Sequence, residues 1–185
     1  MVVVDGAGVP LGSQLASASP AEVTLAEGTL KKISVPQPRG RPRNRPLRVI
    51  ADRGSMAMPI RANHVYVIPP DADLLIEDYT FKVVSPRSKR NVQVDLFLTS
   101  LAAAMGARAI GIILSGLDGD GAEGCKQIKA KGGTTFAQDM SAEVDAMPLS
   151  AQASGHVDFV LSPADMPGEL QRLASTYKKR SDDAH

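Results

Sequence analysis

The six residues Ala109–Leu114 (AIGIIL) are apolar without a break and run straight into a glycine-rich loop, SGLDGDG. A run this short, rich in β-branched isoleucine and closed by turn residues, suits a strand buried on both faces. Strands of that kind belong to parallel sheets, where helices cover both sides. The flanking segments agree. Val92–Met105 places Val94, Phe97, Leu98, Leu101 and Met105 at helical spacing, with Gly106 as the stop. Ala122–Lys131 reads as the next helix, closed by Gly132 and Gly133. A strand at Thr134–Ala137, a short helix at Pro148–Ser154, a strand at Val157–Leu161 and a helix at Pro163–Tyr177 follow. Upstream, His64–Ile68 is a strand ended by Pro69 and Pro70. Leu74–Glu77 and Phe81–Val84 form a hairpin about Asp78–Thr80. The pattern predicts an α/β fold: part of a doubly wound, mainly parallel sheet with helices on both faces.

The first third has another texture, an irregular N-terminal segment over residues 1–57. It holds a β-like run at Val2–Val4, a Gly/Pro turn, and a helix start at Ser19-Pro20 with Glu22 three residues after the cap. The proline- and arginine-rich PQPRGRPRNRPLR then excludes helix or central strand, and Leu47–Ala51 reads as a short strand. Three parts result: residues 1–57, a regular domain over 58–177, and a disordered tail over 178–185.

Composition removes several classes of function. A net charge of +1 leaves nucleic-acid binding only to a local patch. Cys125 is the single cysteine, which excludes an internal disulfide and a cysteine metal cluster. No stretch reaches the roughly eighteen apolar residues of a membrane span, and MVVVDGAGVP is not a secretory signal. A cytoplasmic chain without membrane insertion is the expectation.

In open α/β sheets, ligands and reacting groups gather beyond the carboxyl ends of the strands. The loop Ser115–Gly124 occupies such a place. Its glycines allow a tight turn and close approach, and Asp118 and Asp120 stand just before a helix N-terminus. By spacing alone, one aspartate merely capping that helix is as good a reading as a reactive one. A calcium loop is excluded, because Glu123 stands where glycine is needed and Lys129 where a bidentate acid is needed. A Walker phosphate loop lacks its Gly-Lys-Ser/Thr. Neither a metal nor a cofactor is expected.

The run from VDLFLTSLAAAMGARAIGIILSGLDGDGAEGCKQIKAKGG through TTFAQD, Met147-Pro148 and GHVD, together with NHVYVIPPDADLLIED upstream, resembles CheB-type chemotaxis protein-glutamate methylesterases. The resemblance covers Met58 to about Leu173. It implies a Ser-His-Asp hydrolase that removes methyl esters from glutamates of a methylated chemoreceptor. Asp120 falls on the triad aspartate, which holds the histidine in its reactive tautomer. Leu117 falls where the family offers a backbone N–H to the oxyanion. Gly116 and Gly121 keep the loop's shape, Met147 lies in a segment lining the site, and Asp118 departs from the family's small residue.

The family's serine follows a strand in Gly-Ala-Ser-x-Gly-Gly, and its histidine ends a later strand. Neither context occurs here. Ser13 in VVVDGAGVPLGSQ is the nearest imitation, but paired glycines do not follow it and Pro10 disturbs the turn. His64, His156 and His185 do not match the base. The chain is therefore expected to be truncated, inactive alone, and dependent on a partner chain for serine and histidine.

Residues 1–57 resemble a fragment of a DDE transposase, in which RVIADRG would carry a metal-binding aspartate at Asp52. Arg39, Arg41 and Arg43 lie in a basic strip resembling an AT-hook core, so weak DNA binding is the alternative function. A fusion of a mobile-element remnant to a broken methylesterase gene accounts for both resemblances.

Overall fold

The computed structural model describes residues 57–61, 64–66, 68 and 71–182, with the backbone of three short strands at 2–4, 10–13 and 48–50. The Ser19 helix start, the arginine strip, Asp52 and His185 lie outside the described residues.

Among the described residues, ten strands form three sheets. β1 (Val2–Val4), β2 (Pro10–Ser13), β3 (Arg48–Ile50) and β5 (His64–Tyr66) make one, in the order β2-β1-β5-β3. β4 (Ala57–Pro59), β6 (Asp73–Glu77) and β7 (Thr80–Val84) make a second, antiparallel throughout. β8 (Ile110–Ile113), β9 (Thr134–Gln138) and β10 (Phe159–Leu161) make the third, parallel throughout. The expected α/β fold is borne out, and its sheets mix parallel with antiparallel pairing. The reason is that the predicted hairpin recruits β4 onto its free edge and so builds an antiparallel sheet of its own. Its turn is two residues, Asp78 and Tyr79, both at positive φ. That matches the right-handed twist of paired strands.

Among the described residues, four α-helices flank these sheets: α1 (Gln93–Met105), α2 (Ala122–Ala130), α3 (Ala146–Ala153) and α4 (Met166–Asp182). α1 buries Val94, Phe97, Leu98, Leu101, Ala102 and Met105, the stripe its spacing predicts. Gly106 ends it at φ +57°, a conformation that strains any other residue. α3 begins two residues before Pro148, since proline is tolerated throughout a first turn, where the N–H is unsatisfied in any case. α4 continues past Tyr177 to Asp182.

β8 shows the two-sided burial that its composition requires. Ala109 and Ile113 join the larger core with Phe81, Phe97, Leu98, Leu101 and Ile128. Ile110 joins Phe136 and Met166 on the opposite face, with Ile112, Leu114, Leu170 and Leu173 packed around them. The period of two splits one apolar run between two cores. Phe136 and Phe159 stack with ring centroids 5.0 Å apart, holding β9 to β10.

Two carboxylates fasten the frame. Asp73 is buried and accepts from the Ser88 N–H and hydroxyl, each at 2.7 Å, and from Gln93 Nε2 at 3.2 Å. This ties β6 to the segment that leads into α1. Asp158 accepts from the Thr135 N–H at 2.9 Å and pairs with Lys129 at 2.5 Å. The aspartate of GHVD thereby pins the start of β9 beside β10.

Candidate active site

The parallel strands all run toward one end, and the loop after β8 opens there. Gly121 begins α2 at φ +107°, where a Cβ would lie 2.6 Å from Ile113 Cδ1. Gly116 sits over Met147, whose Sδ would be 2.0 Å from an added Cβ. Close approach constrains both glycines, and a positive φ adds to it at Gly121 alone. The loop is stitched to the start of α3. The Gly116 N–H donates to the Val144 carbonyl at 2.9 Å, and the Met147 N–H donates to the Gly116 carbonyl at 3.2 Å. Ser115 adds two bonds, accepting from the Val144 N–H at 3.0 Å and donating its own N–H to Gln138 Oε1 at 3.0 Å.

Asp120 is 6% exposed. Its Oδ2 accepts from the Val94 N–H and its Oδ1 from the Asp95 N–H, both at 2.9 Å. Those are the second and third amides of α1, the pair that an N-cap side chain ordinarily satisfies. Val92, at the local cap position, supplies no side-chain bond. Asp120 thus caps α1 from across the fold, and not α2, which it precedes in sequence. Asp95 does the converse: its Oδ1 accepts from the Gly121 N–H at 2.9 Å and the Gly124 N–H at 2.7 Å, capping α2. Two helix starts exchange carboxylates. Sequence reasoning missed Asp95. The only available signal was an acid at the third position of a helix whose own cap residue, Val92, cannot cap.

The two oxygens of Asp120 take one N–H each, so among the described residues each keeps a free lone pair. Burial pushes its carboxyl above the usual carboxylate range. The two amide bonds oppose that shift, and the charges of Asp95 and Asp118 add to it. Asp118 turns back to accept the Asp120 N–H at 3.1 Å. Leu117, just before Asp118, is 79% exposed, and its N–H has no partner among the described residues. Met147 is buried beneath Gly116, packing under the loop. Ser13 ends β2, which lies beside β8. The histidine of GHVD, His156, uses its carbonyl to accept from the Thr135 hydroxyl at 2.6 Å, a structural role for the backbone. Among the described residues, no group of three or more His, Cys, Asp and Glu is placed to hold a metal ion, and no helix is long and apolar enough to cross a membrane.

Asp73 and Asp120 pull stability in opposite directions with pH. Burial raises the Asp73 carboxyl, but bonds from Ser88 and Gln93 outweigh it, so its folded value lies below the ordinary 3.8. Its contribution is present above 3.8 and lost as pH falls through that lower value. The folded value of Asp120 lies above 3.8, so the folded state takes up that proton first and gains stability as pH falls through this window. Denaturant titrations across the acid range should show Asp73→Asn flattening the acid-side loss and Asp120→Asn removing the gain. Identical pH slopes in both variants would contradict these assignments.

The family model described as CheB methylesterase matches residues 44–170, more than half of the chain. The chain belongs to the CheB methylesterase family. A protein-glutamate methylesterase/protein-glutamine glutaminase of Methylobacillus flagellatus is 41% identical over 120 residues, covering 60% of this chain and 34% of that protein. A putative protein of the same description from Leptospira interrogans is 36% identical over 107 residues, 56% of this chain and 55% of that one. The CheB methylesterase catalytic domain of Thermotoga maritima superposes with a TM-score of 0.56 at 26% identity, covering 65% of this chain and 67% of that one. The chain therefore spans about a third to about half the length of these two curated relatives. The CheB match begins at residue 44 and so includes RVIADRG with Asp52. A transposase origin for residues 1–57 finds no support.

Proposed function

We propose that this chain carries the aspartate and oxyanion side of a protein-glutamate methylesterase that acts on methylated chemoreceptors. The reaction adds water to a glutamate methyl ester and yields a glutamate carboxylate, a proton and methanol. The observation that carries the reading is a carboxylate immobilised by two α1 amides at the carboxyl end of β8, three residues from an amide without a partner among the described residues. In this reading Asp120 fixes the tautomer of a histidine with its remaining lone pairs. The Leu117 N–H receives the oxyanion, and Gly116, Gly121 and Met147 hold the loop that presents it. The serine and histidine come from outside these 185 residues.

The test is methanol release from receptor membranes carrying labelled methyl esters. The chain alone should stay at the blank, since loss of a triad serine costs on the order of a million-fold in turnover. Adding a fragment of a family member that carries the Gly-Ala-Ser-x-Gly-Gly turn and the histidine should restore release. Asp120→Asn should then lower it by about 10⁴-fold. Release by the chain alone that Ser13→Ala abolishes would place the nucleophile here. Restored release indifferent to Asp120→Asn would remove Asp120 from the mechanism.

A further inference from the structure

Seven large apolar side chains are exposed among the described residues, and four of them, Leu117, Met140, Val144 and Leu149, belong to the loops after β8 and β9 and the start of α3. Leu117 and Met140 are 79% and 81% exposed. The backbone beneath them is pinned by the Gly116–Val144 and Met147–Gly116 bonds, and Ser150, next to Leu149, donates its hydroxyl to the Gly119 carbonyl at 3.5 Å. These apolar groups are held outward by an ordered scaffold, which marks an interaction surface.

The charge on these two segments has one sign. No Lys, Arg or His occurs in residues 115–121 or 138–150, whereas Asp118, Asp139, Glu143 and Asp145 do. Glu143 and Asp145 are exposed, Asp118 and Asp139 half-buried. Bonds from Ser141 hold the Asp139 carboxyl below the usual carboxylate range, so it remains an anion. An apolar seat inside an acidic rim accepts neutral or cationic segments and repels anionic ones.

We propose that this end of the sheet docks a peptide segment whose glutamates are esterified and therefore neutral, and sheds the same segment once its carboxylates are free. The proposal rests on the methylesterase reading and adds a role for the rim. Hydrolysis exchanges a neutral methyl ester for an anion beside Asp118, Glu143 and Asp145, so each turnover turns a seated substrate into a repelled product.

Two peptides of one amphipathic sequence, with either glutamate methyl esters or free glutamates, are titrated calorimetrically into the whole chain. At about 20 mM salt the ester peptide should bind about tenfold tighter, and the ratio should approach one at about 500 mM salt. Glu143→Gln with Asp145→Asn should shrink the ratio at low salt, while Met140→Ser with Leu149→Ser should weaken both peptides several-fold and leave the ratio unchanged. Neither pair touches Asp120 or Leu117, and the Asp145 side chain makes no cap bond to α3. Equal affinities at low salt, tighter binding of the free-acid peptide, a preference that persists in high salt, or no binding of either peptide would overturn the proposal. The methylesterase reading stands or falls separately, on whether restored methanol release depends on Asp120.

Discussion

Asp120→Ala should destabilise the fold by about 2 kcal/mol, and Asp95→Ala by a similar amount, as read by urea unfolding. Each change strips two helix-start amides of their acceptor. Loss of an ordinary N-cap costs about 0.5–2 kcal/mol, and a buried N–H left unpaired about 1–3. Val94 is buried, so its amide has little access to water as a substitute. Relief of a buried charge next to Asp95 and Asp118 offsets part of the loss. Asp120→Asn keeps one acceptor but turns an NH₂ against the other N–H, so it should fall near alanine and not near wild type. The double variant should lose about 1 kcal/mol less than the sum, because each cap positions the amides that the other needs. Single variants within about 0.5 kcal/mol of wild type would show that the exchange contributes nothing. A double variant worse than the sum would mean that repulsion between the two carboxylates dominates.

Gly133→Ala should be more damaging than Gly116→Ala, although the latter has the shorter contact. A Cβ on Gly133 would lie 2.6 Å from the Ala109 carbonyl oxygen and 2.7 Å from Ile128 Cγ2. That carbonyl accepts the Thr134 N–H at 2.9 Å, so relief requires parting β8 from β9. A loss of about 3 kcal/mol is expected, at the upper end for an overpacked core. On Gly116 the obstacle is Met147 Sδ at 2.0 Å, part of a flexible side chain. About 2 kcal/mol should be lost there, and much of it recovered by adding Met147→Ala, apart from the cavity that this opens. No single partner change should rescue Gly133→Ala. Rescue of Gly133→Ala by Ile128→Ala would show that the side chain, and not the carbonyl, sets the cost.

Much of the fold was legible because its signals are local. The α1 stripe from Val94 to Met105, the uninterrupted run of β8 and the hairpin about Asp78–Tyr79 each follow from periodicity and turn chemistry within a few residues. The pairing of β4 with β7 was not legible. Ala57–Pro59 carries no alternation to name its partner, and only the free edge of the hairpin decides it.

The candidate site divides in the same way. The linked motifs alone placed Asp120 at a strand end and led to the family. They left open whether that aspartate caps the helix it precedes. The folded chain shows it capping α1, while Asp95, 25 residues earlier, caps α2 in return. Spacing along a chain fixes which face of an element is apolar, because that depends on near neighbours. Which amides a carboxylate meets depends on where two helix starts come together in space, and only tertiary packing sets that.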